Sequence, residues 1–79
     1  MELTQDSQDD CTLRNDVDTV AYHVAITGDV TNDINVPELQ PFQDIQFELA
    51  PPSQRRSGQL QVTWENHLGE KQALTEPLR

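Results

Sequence analysis

DTVAYHVAITGDV, residues 18–30, is the stretch on which the fold turns. Val20, Tyr22, Val24 and Ile26 alternate with Ala21, His23, Ala25 and Thr27, and a period of two kept over eight positions is the pattern of a β-strand. The heavier face is β-branched or aromatic and is assigned to the core. The lighter face of Ala, His and Thr is read as partly covered too, with His23 an ordinary residue on it. Gly28 and Asp29 then allow a turn or bulge.

The same period recurs downstream. In QDIQFELA, residues 43–50, Ile45, Phe47 and Leu49 face one way while Asp44, Gln46 and Glu48 face the other, which implies one buried and one solvated face. In LQVTWEN, residues 60–66, Leu60, Val62 and Trp64 are inward against Gln61, Thr63 and Glu65. Core has first claim on Trp64, the one tryptophan in a chain with few large residues. Between these strands, APPSQRRSGQ ends any ladder at Pro51-Pro52 and permits a turn at Ser57-Gly58. HLGE reads as a reverse turn and KQALT as a short return strand carrying Ala73. TNDINVPELQPF, with Pro37 and Pro41 and no sustained period, is a connecting loop or an irregular edge.

About four strands with no βαβ rhythm and no internal repeat give a mainly β fold, a small antiparallel sandwich or partly open barrel. The first sixteen residues, MELTQDSQDDCTLRND, are polar and carry only Leu3 and Leu13 as large apolar groups, so residues 1–16 are expected as a flexible acidic arm and residues 17–79 as the single domain. At 79 residues the core is small. The single cysteine, Cys11, rules out an internal disulfide.

Charge is lopsided. The net charge is −9, and residues 1–48 hold eleven acids against Arg14 alone, whereas residues 49–79 hold three acids and four bases. Direct nucleic-acid binding is disfavoured, because neutralising phosphates needs clustered Lys and Arg and only Arg55-Arg56 offers a pair. A protein partner with a basic surface is favoured instead. No apolar run approaches the roughly 18 residues that span a bilayer, and the acidic beginning does not resemble a signal peptide; the expectation is no membrane and a cytoplasmic setting.

Candidate chemistry is sparse. GDVTNDINV, residues 28–36, crowds oxygen ligands as a calcium loop does. Counted from Asp29, however, Ile34 stands where the template needs glycine and Gln40 where it needs a terminal acid, so the segment is read as a structured turn without metal. Cys11, His23 and His67 lie too far apart in sequence for a zinc pattern. Cys11 follows Asp9 and Asp10, neighbours that disfavour a thiolate. No nucleophile elbow or phosphate loop occurs, and the reading is of a protein that is not an enzyme and needs no cofactor. The expected function is a non-catalytic interaction module whose acidic surface, centred on Asp29, Asp33, Asp44 and Glu48, engages a basic partner, in its sharpest form as a nucleic-acid-mimicking inhibitor. The alternative is an accessory subunit that assembles through a sheet edge near Leu60–Trp64 or Val20–Ile26, with itself or another chain, the charge serving only solubility.

Overall fold

In the computed structural model, which describes every residue from Met1 to Arg79, the chain forms seven strands and one turn of 3-10 helix at Pro52–Gln54. The strands are β1 (Glu2–Gln5), β2 (Asp10–Arg14), β3 (Ala21–Gly28), β4 (Ile34–Leu39), β5 (Asp44–Glu48), β6 (Gln59–Glu65) and β7 (Lys71–Pro77). They build two antiparallel sheets, β1-β2-β5 and β4-β3-β6-β7. The mainly β, antiparallel architecture read from the alternation is the one adopted, with seven strands rather than four. One core joins the sheets: Cys11, Leu13, Phe47 and Leu49 come from the smaller sheet or its end, and Ala21, Val24, Ile26, Leu39, Leu60 and Val62 from the larger. An isolated bridge between Val30 and Leu49 ties them at one corner.

Strands β5 and β6 follow their period as expected. Phe47, Leu49, Leu60 and Val62 are buried, Ile45 and Trp64 are half-buried against the core, and Asp44, Gln46, Glu48, Gln61 and Thr63 are exposed. In β7 the inward residue is Leu74, opposite Val62, whereas Ala73 is exposed.

The decisive stretch itself contains a fault. His23 takes a left-handed φ of 51°, and between the pairs Tyr22–Glu65 and Ala25–Thr63 strand β3 supplies two residues where β6 supplies only Trp64. The result is a β-bulge, which bends the strand and shifts its side-chain parity. Ala21, Val24 and Ile26 are therefore the buried residues, and Tyr22, expected inward, is only half-buried beside Glu38 and Glu65.

The expected flexible arm is instead two strands. Cys11 and Leu13 are 1% and 0% exposed, because DCTLR alternates apolar with polar residues and pairs with β5 over its whole length. β1 then pairs with β2 through Glu2–Arg14, Leu3–Leu13, Thr4–Thr12 and Gln5–Cys11. Residues 31–42, read as a loop or irregular edge, hold β4, an edge strand with Pro37 in it.

Two polar residues organise the connections. Asn15 is fully buried, and its amide nitrogen donates to the carbonyls of Thr19, Leu39 and Gln40 at 2.8, 3.1 and 3.2 Å, while its backbone N–H reaches the Gln43 carbonyl at 3.0 Å. The β2–β3 connection is thereby fastened to the β4–β5 turn. Arg55, from the loop after the 3-10 turn, donates to the carbonyls of Ala50, Arg79 and Gln8 and so stitches three separate segments together.

Candidate functional site

The residues expected to form the site do not all meet. Asp29 is 6% exposed, and its carboxylate accepts backbone N–H groups from Arg56 at 2.9 Å, Ser57 at 3.4 Å and Gly58 at 2.6 Å. These bonds, that of Arg56 first, hold its carboxyl below the usual range. Asp29 orders the SQRRSG loop and is withdrawn from any partner. The density of Asp and Asn after Gly28 thus marks a loop anchor, with its first carboxylate already satisfied. Asp33 stays exposed in the β3–β4 turn, whose Thr31 N–H reaches the Glu48 carbonyl at 3.4 Å.

Asp44 and Glu48, by contrast, lie on one surface, the outer face of the β1-β2-β5 sheet. Since Cys11, Leu13 and Phe47 point into the core, strand alternation turns Asp10, Thr12 and Arg14 outward on β2 and Asp44, Gln46 and Glu48 outward on β5. Glu2 and Thr4, exposed on β1, pair with Arg14 and Thr12, and Asp6 continues their row. Three cross-strand rows result. At one end Asp6, Asp10 and Glu48 lie side by side; in the middle are Thr4, Thr12 and Gln46; at the other end are Glu2, Arg14 and Asp44.

The acidic row is ordered by its neighbours and contains no base. Ser7 Oγ donates to Asp10 Oδ2 at 3.0 Å, and Thr12 Oγ1 donates to Asp6 Oδ2. Asp10 stands directly opposite Glu48, an arrangement that opposes folding because like charges on facing positions repel. Sequence reasoning missed Glu2, Asp6 and Asp10 as site residues because it left them in the flexible arm. The legible signal was the alternation of DCTLR.

At the opposite row Arg14 Nη1 donates to Asp44 Oδ1 at 3.0 Å, and its guanidinium carbon lies 5.8 Å from the centroid of the Phe42 ring. Phe42 was not singled out in the sequence, yet it is 53% exposed. It occupies the third position of the turn Gln40–Gln43, where the Gln43 N–H returns to the Gln40 carbonyl at 3.1 Å, and its φ is 59°. A left-handed φ at that position belongs to a type II turn, which ordinarily selects glycine.

The other candidates find plain roles. Burial, and after it the charge of Asp6, pushes the Cys11 thiol up, and the residue is part of the core. His23 is exposed at the bulge, 3.9 Å from Glu65. Trp64 is half-buried and packs against the core. No helix is long and apolar enough to cross a membrane. The strands named for edge assembly, β3 and β6, are paired on both sides; the free edges belong to β1, β5, β4 and β7. Comparison with protein-family models, curated proteins and solved structures finds no match to this chain.

Proposed function

We propose that the outer face of the β1-β2-β5 sheet is a docking surface for the basic surface of another protein. The observation that carries this reading is the row Asp6, Asp10 and Glu48: three carboxylates, two on the paired strands β2 and β5 and one just past the end of β1, kept together against their own repulsion and facing solvent. Repulsion of this kind is relieved when Lys or Arg residues approach, so part of the association energy comes from removing a strain of the free molecule. Five acids and Arg14 give the face a net charge of −4, spread over four residue steps of strand, about 14 Å. The charge is uneven, −3 in the Asp6–Asp10–Glu48 row and −1 in the Glu2–Arg14–Asp44 row, with an uncharged row between them. A cluster of carboxylates competes with a nucleic acid for the same Lys and Arg side chains, and the inhibitor form of the proposal rests on that competition.

Edge-to-edge assembly is less well supported. Both edges of the larger sheet carry a proline, Pro37 in β4 and Pro77 in β7, and the β5 edge of the smaller sheet carries Asp44 and Glu48, devices that discourage strand addition.

The test is a pull-down from nuclease-treated source lysate, eluted by stepping the salt upward. The wild-type chain is compared with Asp10→Lys/Glu48→Lys and with a control of equal charge change, Asp18→Lys/Glu70→Lys, both at exposed positions off this face. The proposal expects a basic protein that elutes from the wild type and the control at moderate salt and is lost from the first variant. Retention by all three chains through high salt would sink it.

A further inference from the structure

The chain carries its own guanidinium on the docking face, and the groups that hold it point to what the face recognises. Arg14 lies against two partners at once, the Asp44 carboxylate at 3.0 Å and the Phe42 ring at 5.8 Å from its centroid. A planar guanidinium is suited to this pair, since it hydrogen-bonds a carboxylate while its face stacks on an aromatic ring; an ammonium is a point charge and uses such a pair less well.

Phe42 is not held in place by the core. It lies outside the core cluster, it is more than half exposed, and its backbone adopts the left-handed conformation that disfavours bulky side chains. The conformation persists because the turn is held from outside. Buried Asn15 donates to the Leu39 and Gln40 carbonyls and its N–H to that of Gln43, and the Gln40 N–H is taken by the Gln43 side chain at 2.9 Å. Asn15 thus fixes the turn that carries Phe42, two residues before Asp44, in advance of any partner.

We infer that Phe42 and Asp44 form a guanidinium site, that the partner presents arginine rather than lysine to it, and that Arg14 is an internal occupant which a partner arginine displaces. This deepens the proposed function and rests on it. In the free chain Arg14 pairs with the Asp44 carboxylate and lies over the Phe42 ring, so the site is occupied although the ring stays half exposed. On binding, an incoming arginine takes the Asp44 carboxylate and the Phe42 face, and Arg14, 41% exposed along its side chain, swings into solvent or towards Glu2, its cross-strand neighbour. Occupation by its own arginine also sets a threshold: isolated basic groups exchange poorly with Arg14, whereas an arginine delivered together with bases on the Asp6–Asp10–Glu48 row gains both ends of the face.

The experiment titrates the full chain with an octa-arginine and an octa-lysine peptide at moderate ionic strength by calorimetry, for the wild type, Arg14→Ala, Phe42→Leu and the double variant. In the wild type octa-arginine is expected to bind only about twofold more tightly than octa-lysine, because displacing Arg14 offsets most of the contact it gains. Arg14→Ala should tighten both peptides, since the face gains a negative charge, but octa-arginine by a further two- to fivefold, the ratio an exposed cation–π contact of about 0.5–1 kcal/mol supplies. Phe42→Leu on that background should abolish the ratio and leave the salt dependence intact. Arg14→Ala tightening both peptides equally, or a ratio that survives Phe42→Leu, would refute the guanidinium site and leave the acidic face standing. If neither peptide bound the wild type or Arg14→Ala, both readings would fall together. Circular dichroism and melting curves confirm that each variant is folded; Phe42 and Arg14 lie outside the core, so no loss is expected.

Discussion

Leu13→Ala tests whether the first sixteen residues belong to the folded unit. Leu13 is fully buried in β2 between β1 and β5, and it is the bulkiest group that segment gives the core. The change removes the equivalent of three methylene groups, about 2.4 kcal/mol of transfer free energy at roughly 0.8 kcal/mol each. The cavity left behind brings the expected loss to about 3–5 kcal/mol. A chain of 79 residues has a total stability of about 4–12 kcal/mol at the usual ~0.05–0.15 kcal/mol per residue, so one side chain removes a quarter of it or more. Urea unfolding followed by the fluorescence of Trp64 is the assay, since the sole tryptophan lies in the other sheet and reports on β2 only if the two sheets unfold together. With a slope near ~1.5 kcal/mol per molar the midpoint should fall by about 2–3 M at unchanged slope. Leu68→Ala is the control, because the same atoms leave a site that is 71% exposed and the midpoint should hardly move. An unchanged midpoint for Leu13→Ala would show that residues 10–14 are not part of the cooperative structure, and the docking face built on them would go with it.

Two further changes probe the turns that set the sheets. Gly28 has φ of 106°, and a Cβ there would lie 2.6 Å from the Gln59 carbonyl oxygen, so Gly28→Ala should cost about 1–3 kcal/mol in the same unfolding assay; a neutral result would mean that β3 and β6 are not so closely apposed. Asp29→Asn should lower the melting temperature by several degrees at neutral pH, because an amide offers N–H groups where three backbone donors need acceptors. Since the Asp29 carboxyl is held below its ordinary value of 3.8 in the folded chain, the stability it contributes is present above that value and is lost as pH falls from there through the lowered folded value. The gap between wild type and variant should therefore close in acid, and a gap independent of pH would refute the charge-assisted bonds.

Much of the fold can be read from residues that keep a strict period. Ile45, Phe47 and Leu49, and Leu60, Val62 and Trp64, alternate without interruption, and their strands lie where the alternation puts them. Strand β3 was found as a strand but assigned the wrong inward set, because a bulge at His23 is a matter of backbone conformation and leaves no mark on composition. Strand β2 has only two apolar side chains, Cys11 and Leu13, on five residues, and its polar outer face looks like the solvated face of a disordered arm when seen in one dimension. The site was half legible for the same reason. Asp44 and Glu48 were placed by the alternation of β5, whereas their neighbours Asp6 and Asp10 needed a pairing register that only the fold supplies. Asp29 misled in the opposite direction: a carboxylate in a polar turn is normally solvated, and this one is used up by the backbone of a loop 27 to 29 residues further on.

The smaller sheet is assembled from β1 and β2 at the beginning of the chain and from β5 after the β3–β4 hairpin has intervened. In an open polypeptide the carboxylates of its outer face are scattered from residue 2 to residue 48. A partner that reads this face thus meets only completed molecules, and binding and folding become one equilibrium. At a hundredfold excess of partner over its dissociation constant, occupancy adds about 2.7 kcal/mol to the folded state. For a chain with thirteen buried residues that increment is comparable to a core leucine. Copies without a partner would spend more time open to proteolysis than copies engaged with one, so cellular lifetime itself would record whether the surface is in use.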